Sequence, residues 1–248
     1  MKEEFYSEDK ILGGRVKIIQ HIKGYRAAID PVLLAAAVPA QNGQRVLEIG
    51  SGNGAASFSL AVRVPSALVT GLEIQQQLVQ MAKKSARLNR RGEKVRFVLG
   101  DLLHPPKCLS NSPFDHVMAN PPHLAKGTGI QPSNPQKARA YVEGEATLAD
   151  WIYFALSRVC VGGTITFIHR YDRREEVLEA LAKGAGKISV YPLWPTELGK
   201  NAKRVIIRGL KGIVGPTKWK QGLVLHDLNG GFSREAVEVL EEVKELMV

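Results

Sequence analysis

Nine consecutive residues narrow the possible folds more than anything else in this chain. Val46-Leu47-Glu48-Ile49 is a short, mostly apolar run of the kind that makes a buried strand, and it enters Gly50-Ser51-Gly52-Asn53-Gly54 without a break. Glycine at every second position allows a tight strand-to-helix turn. Its backbone can approach a ligand closely, where a side chain would block the ligand or strain the turn. A helical stretch from Ala55 to about Val64 follows, so the unit reads as strand, glycine turn, helix.

The remainder continues that alternation. Further strands are expected at Leu68–Glu73, Val95–Leu99, His116–Ala119, Thr164–Ile168, near Ile188–Leu193 and at Arg204–Gly209. Helices are expected from Gln75 to about Arg90, from Ala146 to Val159, near Arg173–Lys183 and from Ser233 to Met247. An earlier helix has Asp30 as its N-cap and Pro31 at its first position, and runs through Ala37. Strands alternating with helices imply a doubly wound, mostly parallel α/β sheet. Trp194–Lys203 carries no helical pattern, so the last two strands should form an antiparallel hairpin. The expectation is one Rossmann-like domain over 1–248, with a seven-stranded sheet and one reversed strand near the C-terminus. Residues 1–45 are expected to be an N-terminal extension and helix packing on the cofactor site. Residues 124–144 are expected to be a substrate loop, and 212–248 a C-terminal tail and helix.

Composition limits the function classes. With 248 residues and 44% hydrophobic content the chain can bury a real core. No apolar run approaches the roughly 20 residues needed to cross a bilayer, and the acidic first residues lack a signal-type stretch. A soluble, cytoplasmic protein is the expectation. Two cysteines, Cys108 and Cys160, provide neither a disulfide framework nor a zinc site, and no metal site is expected. Lys and Arg total 34 against 24 for Asp and Glu, a net +10 that favours a polyanionic partner such as nucleic acid.

The chemistry lies at the strand ends, where ligands bind in such sheets. Gly50-x-Gly52-x-x-Ala55 also satisfies the dinucleotide fingerprint, so the turn alone leaves a nicotinamide cofactor open. Glu73, about 20 residues beyond the glycines, is placed to accept both ribose hydroxyls, with Ile74 against the adenine face. Asp101 is placed to accept from the adenine amino group, and Glu48 to position a methionine amino group through water. Asn120-Pro121-Pro122-His123 separates the two cofactors, because hydride transfer has no use for it. An amine conjugated with a ring is a poor nucleophile. The Asn120 side-chain carbonyl and the Pro121 backbone carbonyl can accept its two hydrogens and aim its lone pair at a sulfonium methyl. The prolines fix φ and remove competing donors. His123 is expected to stack on a planar base. Together these motifs point to methyl transfer from S-adenosylmethionine to nitrogen.

Over nearly its whole length the chain resembles class I S-adenosylmethionine-dependent methyltransferases. More narrowly, it resembles the bacterial family that methylates the exocyclic nitrogen of adenosine 37 in a valine tRNA. The resemblance is carried by Gly24-Tyr25-Arg26-Ala27-Ala28-Ile29-Asp30-Pro31-Val32-Leu33-Leu34, the glycine turn, Asn120-Pro121-Pro122 and Gly222-Leu223-Val224-Leu225-His226-Asp227. One departure is His123, where that family usually has Tyr or Phe. The resemblance implies a cofactor set of Arg26, Asp30, Glu48, Gly50, Gly52, Asn53, Gly54, Glu73, Ile74, Asp101, Leu102 and Asn120. It implies tRNA or another RNA as partner; the sequence leaves the oligomeric state, monomer or homodimer, open. Lys126, Lys137, Arg139, Lys203 and Arg204 are the expected nucleic-acid contacts, with Lys200, Arg208 and Lys211 nearby. The basic helix residues Lys83, Lys84, Arg87, Arg90 and Arg91 read mainly as a solvated face, and Trp194 and Trp219 mainly as packing. The same tetrad suits a glutamine side-chain amide in a protein. Against that alternative stand the positive charge and the roughly 45 residues before the first strand, which leave little room for a dedicated helical domain. Adenine methylation in rRNA or DNA, or of a small amine, remains open. A non-catalytic RNA-binding module would need a disabled glycine turn, and this one is intact.

Overall fold

The computed structural model describes residues 5–22, 26–109, 113–124, 142–198 and 201–248. The chain opens with an antiparallel hairpin, β1 (Tyr6–Ile11) and β2 (Val16–His21). A helix α1 (Asp30–Ala37) leads to β3 (Arg45–Ile49), α2 (Ala55–Arg63), β4 (Leu68–Glu73), α3 (Gln76–Leu88), β5 (Val95–Leu99) and β6 (Phe114–Ala119). The second half runs α4 (Leu148–Arg158), β7 (Val159–Arg170), α5 (Arg174–Ala182), β8 (Ala185–Trp194), β9 (Arg204–Lys211), two short strands β10 (Lys218–Trp219) and β11 (Leu223–Val224), and α6 (Arg234–Leu240).

The main sheet has the order β8-β9-β7-β6-β3-β4-β5. Strand β9 runs antiparallel to both neighbours and the other pairings are parallel. This is the doubly wound, Rossmann-like arrangement with one reversed strand. Nine strands replace the expected seven, because β10 and β11 each add two residues in parallel to the outer edge of β8. They follow Pro216 and Gly222, and runs that short carry no legible alternation.

Alternation along the central strands feeds two apolar layers. Val46 and Met118 face the layer built on α1, α2 and α3, whereas Leu47, Ile49, Val117 and Ala119 face the layer under α4 and α5. Both faces are covered, which explains the near-continuous apolar runs.

The N-terminal hairpin docks side-on against α3. Asn89 mimics a partner strand: its Oδ1 accepts from the Lys17 amide at 2.9 Å, and its Nδ2 donates to the Lys17 carbonyl at 2.6 Å. Ser85 Oγ accepts from the Ile19 amide at 2.9 Å. Val16, Ile18 and Gln20 turn inward together, at intervals of two residues.

Two local expectations are corrected. Ile29, in helical conformation, occupies the N-cap position of α1, and Asp30 lies inside the helix. The Asp30 carboxylate is drawn away from helix amides by Arg204, whose Nε donates to Oδ2 at 2.9 Å. The C-terminal helix ends at Leu240, well short of Met247. Beyond it Val243 takes φ +69°, the Leu246 amide donates to the Ala36 carbonyl at 2.9 Å, and Leu246 and Val248 are buried. Tertiary burial against α1 outweighs helical propensity there.

Helix α4 begins with a reciprocal cap. Thr147 Oγ1 accepts from the Asp150 amide at 3.3 Å, and Asp150 Oδ2 accepts from the Thr147 amide at 2.8 Å. That cap fixes the first turn of α4 and so the approach of Trp151 to Gly50. Thr147→Ala is expected to lower the unfolding free energy by about 1 kcal/mol. Urea titration checks this, and an unchanged midpoint would show that the cap contributes nothing.

Candidate cofactor and acceptor site

The carboxyl ends of β3, β4, β5 and β6 open into one cleft of about 910 Å³. The glycine turn forms its floor. The Gly50 and Ser51 amides both donate to the Leu72 carbonyl, at 2.8 and 3.0 Å, so the turn is stitched to the end of β4. All three glycines have positive φ, but only one needs glycine for the ligand space. A Cβ on Gly50 would overlap the Trp151 ring, and one on Gly54 would come within 2.6 Å of Phe58 and Phe97. A Cβ on Gly52 (φ +55°) would meet no heavy atom within 4 Å, because it would project into the cleft.

Glu73 ends β4 and is buried. Its Oε2 accepts from the Gly52 amide at 2.9 Å and its Oε1 from the Gln75 amide at 2.8 Å. Burial raises its pKa, and these amide bonds counter the rise. A carboxylate offers about four acceptor sites, so Glu73 can still accept from a ribose hydroxyl beside these amides. Ile74 is 62% exposed and lies on the cleft wall. Asp101 lines the cleft with Oδ1 accepting from the Leu103 amide at 2.9 Å, and Leu102 packs behind it against the core. Asn53 also lines the cleft, but its Nδ2 donates to the Ile19 carbonyl at 3.3 Å and to Gln20 Oε1 at 3.2 Å. It therefore holds the hairpin against the turn.

Glu48 is buried but lines the bottom of the cleft, accepting from Ser57 Oγ. Burial pushes its pKa up to about 8, against the Ser57 bonds, with the Glu73 charge adding to the rise.

The acceptor tetrad leaves β6 at the opposite wall. Asn120 Oδ1 is buried and has no hydrogen-bond partner among the described residues. Pro121 and Pro122 line the cleft, and the Pro122 carbonyl accepts from His169 Nε2 at 3.2 Å. His123 is 7% exposed, with Nε2 3.7 Å from Asp30 Oδ2 and its ring edge-on to His169. His123 nonetheless lines the cleft, with little of its surface open to a base.

Several expected residues sit beside the cleft and off its wall. Arg26 pairs with Asp9 on β1 at 2.6 Å. Burial raises the Asp30 carboxyl, while His123 and Arg204 draw it below the usual carboxylate range. Arg204 is committed to that pair, whereas Lys203 is exposed at the same edge of the sheet. Gly54, with φ +89°, lies off the cleft wall and against Phe58 and Phe97. Lys126, Lys137, Arg139 and Lys200 lie outside the described residues, as do Gly24 and Tyr25.

Sequence reading missed Gln20, His21, Ser51 and Trp151, all of which line the cleft. The alternation Val16, Ile18, Gln20 was a legible signal for the first of these. Trp151, four residues beyond Thr147 and reaching across from α4, had no local signal.

Residues 40–184 match the family model described as a methyltransferase domain. The chain belongs to that family. It is 25% identical over 216 residues to a tRNA1(Val) (adenine(37)-N6)-methyltransferase of Aeromonas hydrophila, covering 86% of this chain and 88% of the relative. A release factor glutamine methyltransferase of Chlorobaculum tepidum is 29% identical over 165 residues, 64% of this chain and 56% of the relative. Among solved structures, a predicted O-methyltransferase from Agrobacterium tumefaciens superposes with a TM-score of 0.71 at 22% identity, over 88% of this chain and 98% of that one. That likeness establishes the fold.

This methyltransferase is dependent on S-adenosylmethionine. The residues present fit that cofactor: Gly52 leaves open space at the floor, and Glu73 offers buried carboxylate lone pairs beside it. Glu73→Ala is expected to weaken S-adenosylmethionine binding by about tenfold or more in calorimetry, the order of one lost charged hydrogen bond. An unchanged dissociation constant would remove Glu73 from the ribose role.

Glu48 gives a pH signature. Its raised pKa means that the folded chain holds a proton the unfolded chain has released between about pH 4.5 and about 8. The stability it contributes is full below that window and is lost as pH rises through it. Relative to Glu48→Gln, the wild-type chain should lose stability on this rise, by at most about 1.4 kcal/mol per pH unit. Urea unfolding of both proteins at several pH values checks this, and a constant difference would place the Glu48 pKa in the ordinary range.

Proposed function

We propose that this methyltransferase modifies the exocyclic amino group of adenine in RNA, and that adenosine 37 of a valine tRNA is its target. The observation that carries the reading is the buried, unpartnered Asn120 Oδ1 beside the diproline corner. A buried acceptor without a donor costs about 1–3 kcal/mol, which a substrate N–H would relieve. An exocyclic NH2 group has two such hydrogens, and the Pro121 carbonyl is the second acceptor.

Bound S-adenosylmethionine supplies an electrophilic methyl carbon on a sulfonium. The protein contributes position. Asn120 and Pro121 accept the two amine hydrogens, draw the nitrogen toward tetrahedral geometry and turn its lone pair toward the floor of the cleft. Alignment of this kind is worth roughly 7–11 kcal/mol of barrier. Once the nitrogen has gained a carbon it is a strong acid, and its extra proton passes to water without a dedicated base. The neighbouring carbonyls and amides remain uncharged throughout, so no side chain needs to titrate during the transfer.

Three further considerations favour RNA over a protein amide. The chain carries net +10, suited to phosphate. Lys203 is exposed on the sheet edge where β7 and β8 end, in register with the cleft. Several tRNA1(Val) adenine-37 enzymes match most of the chain, and the glutamine methyltransferase relative matches a smaller share. We place Lys126, Lys137, Arg139 and Lys203 as phosphate contacts, with Arg204 holding Asp30 behind the acceptor.

Asn120→Ala should reduce methyl transfer to tRNA below detection while S-adenosylmethionine affinity stays within about twofold of wild type. Mass spectrometry of nucleosides from tRNA treated with each protein, alongside calorimetry, reads both. Equal loss of both activities would show Asn120 to be a cofactor residue only. N6-methyladenosine appearing on no RNA, with methyl transfer to a protein glutamine instead, would overturn the RNA reading.

A further inference from the structure

A second histidine lies behind the acceptor corner, and the transfer chemistry does not use it. His169 is near the end of β7, two residues beyond Phe167, which pairs with Ala119 at the end of β6. It is 1% exposed. Its Nε2 is 3.2 Å from the Pro122 carbonyl oxygen, and its Nδ1 is buried with no hydrogen-bond partner among the described residues. Burial, with the neighbouring His123 adding to it, holds its pKa down to about 4, so the ring is neutral under ordinary conditions.

A neutral imidazole carries one N–H. A carbonyl can only accept, so a proton on Nδ1 would set the Nε2 lone pair against the Pro122 oxygen at hydrogen-bond distance. The proton therefore sits on Nε2 and is donated to Pro122. Nδ1 is left bare and dry, an arrangement that persists where the other nitrogen's bond is required.

The backbone of the tetrad shows what that bond does. The rings of Pro121 and Pro122 lock φ at both residues. Asn120 and Pro121 each precede a proline, which confines them to extended conformations. Pro122 precedes His123, so its ψ alone among the three is unrestricted by a following proline, and that torsion sets the direction of the Pro122 carbonyl. The His169 N–H fixes that direction toward the core. That bond anchors the C-terminal end of the corner to β7, and the restricted backbone that carries Asn120 and Pro121 is held in place by it.

We infer that His169 is a positioning residue for methyl transfer: as the Nε2–H tautomer it holds the Pro122 carbonyl and, through it, the orientation of the two acceptor groups. This rests on the acceptor role given above to Asn120 and Pro121. His169 itself touches neither amine nor cofactor.

The test has two arms. Nitrogen-15 NMR of the wild-type protein, labelled at histidine, reads the tautomer directly and needs no variant to fold. An Nε2–H signal unchanged from pH 6 to pH 8 is expected, and a proton on Nδ1 overturns the inference. In the second arm, His169→Phe keeps a ring and loses the donor, while His169→Gln keeps a donor of similar reach. His169→Phe should lower kcat by about tenfold to a hundredfold, the scale of a small misplacement of a reacting group. S-adenosylmethionine affinity should stay unchanged, and His169→Gln should recover most of the rate. Equal impairment of both variants would mean that ring packing matters and the donor does not. A full rate in His169→Phe, or cofactor affinity falling in step with kcat, would equally overturn it. Failure of the acceptor reading is separately visible, because Asn120→Ala would then keep its activity while the tautomer stayed as stated.

Discussion

The site depends on one buried carboxylate. Glu73 takes the Gly52 amide with one oxygen and the Gln75 amide with the other, tying the turn after β3 to the turn after β4. The Gly50 and Ser51 amides are already committed to the Leu72 carbonyl. Three consecutive amides of the glycine loop therefore face the neighbouring strand, and the loop lies flat across the end of the sheet. A flat loop with an open side at Gly52 leaves room for a ligand. Without the carboxylate those buried N–H groups would need other partners, and the loop would have no reason to stay in left-handed backbone conformations.

The polar groups packed around that floor depart from what a stable core prefers. Glu48 is buried and holds a proton well above the ordinary carboxyl range, and among the described residues Ser51 Oγ, Asn120 Oδ1 and His169 Nδ1 have no hydrogen-bond partner. Each lies on the cleft or within one residue layer of it. Elsewhere the central strands are mostly apolar and paired on both edges, and the buried His116 bonds to both Thr164 and Gln44. Natural sequences break local rules mainly where a ligand completes the bonding, and the clustering at the carboxyl ends of β3 and β6 fits that pattern.

Much of this was legible in the sequence, for identifiable reasons. Strand Leu68–Glu73 is short and almost wholly buried, and Val95–Leu99, at the edge of the sheet, buries Val95 and Phe97 alternately, so residue type and spacing marked them. The glycine turn and the diproline corner were legible because few residue types tolerate those backbones. The N-terminal hairpin was not read, although Val16, Ile18 and Gln20 alternate, because its stabilising bonds come from Asn89 and Ser85 some seventy residues away. Asp30 matched a helix cap by every local criterion, yet a guanidinium from β9, distant in sequence, removed it from that role. The last helix ended early because residues 246–248 gain more by burial on α1 than by continuing the helix. Local physics fixed what local residues decide, and each miss traces to a long-range contact.

His123 shows how such a contact absorbs a change at the site. The tetrad resembles one that usually ends in Tyr or Phe, and an imidazole there brings a polar ring into an almost closed space. A carboxylate meets it: Asp30 Oδ2 stands 3.7 Å from Nε2, and Arg204 Nε holds the same oxygen at 2.9 Å. The three side chains join the tetrad to the first turn of α1 and to the start of β9, elements that share no backbone bond at this point. Phe would leave Asp30 with Arg204 alone and would pack only against the His169 ring. The histidine thus adds a polar contact to one of shape, and it links the acceptor corner to the helix leading into β3 and the glycine floor.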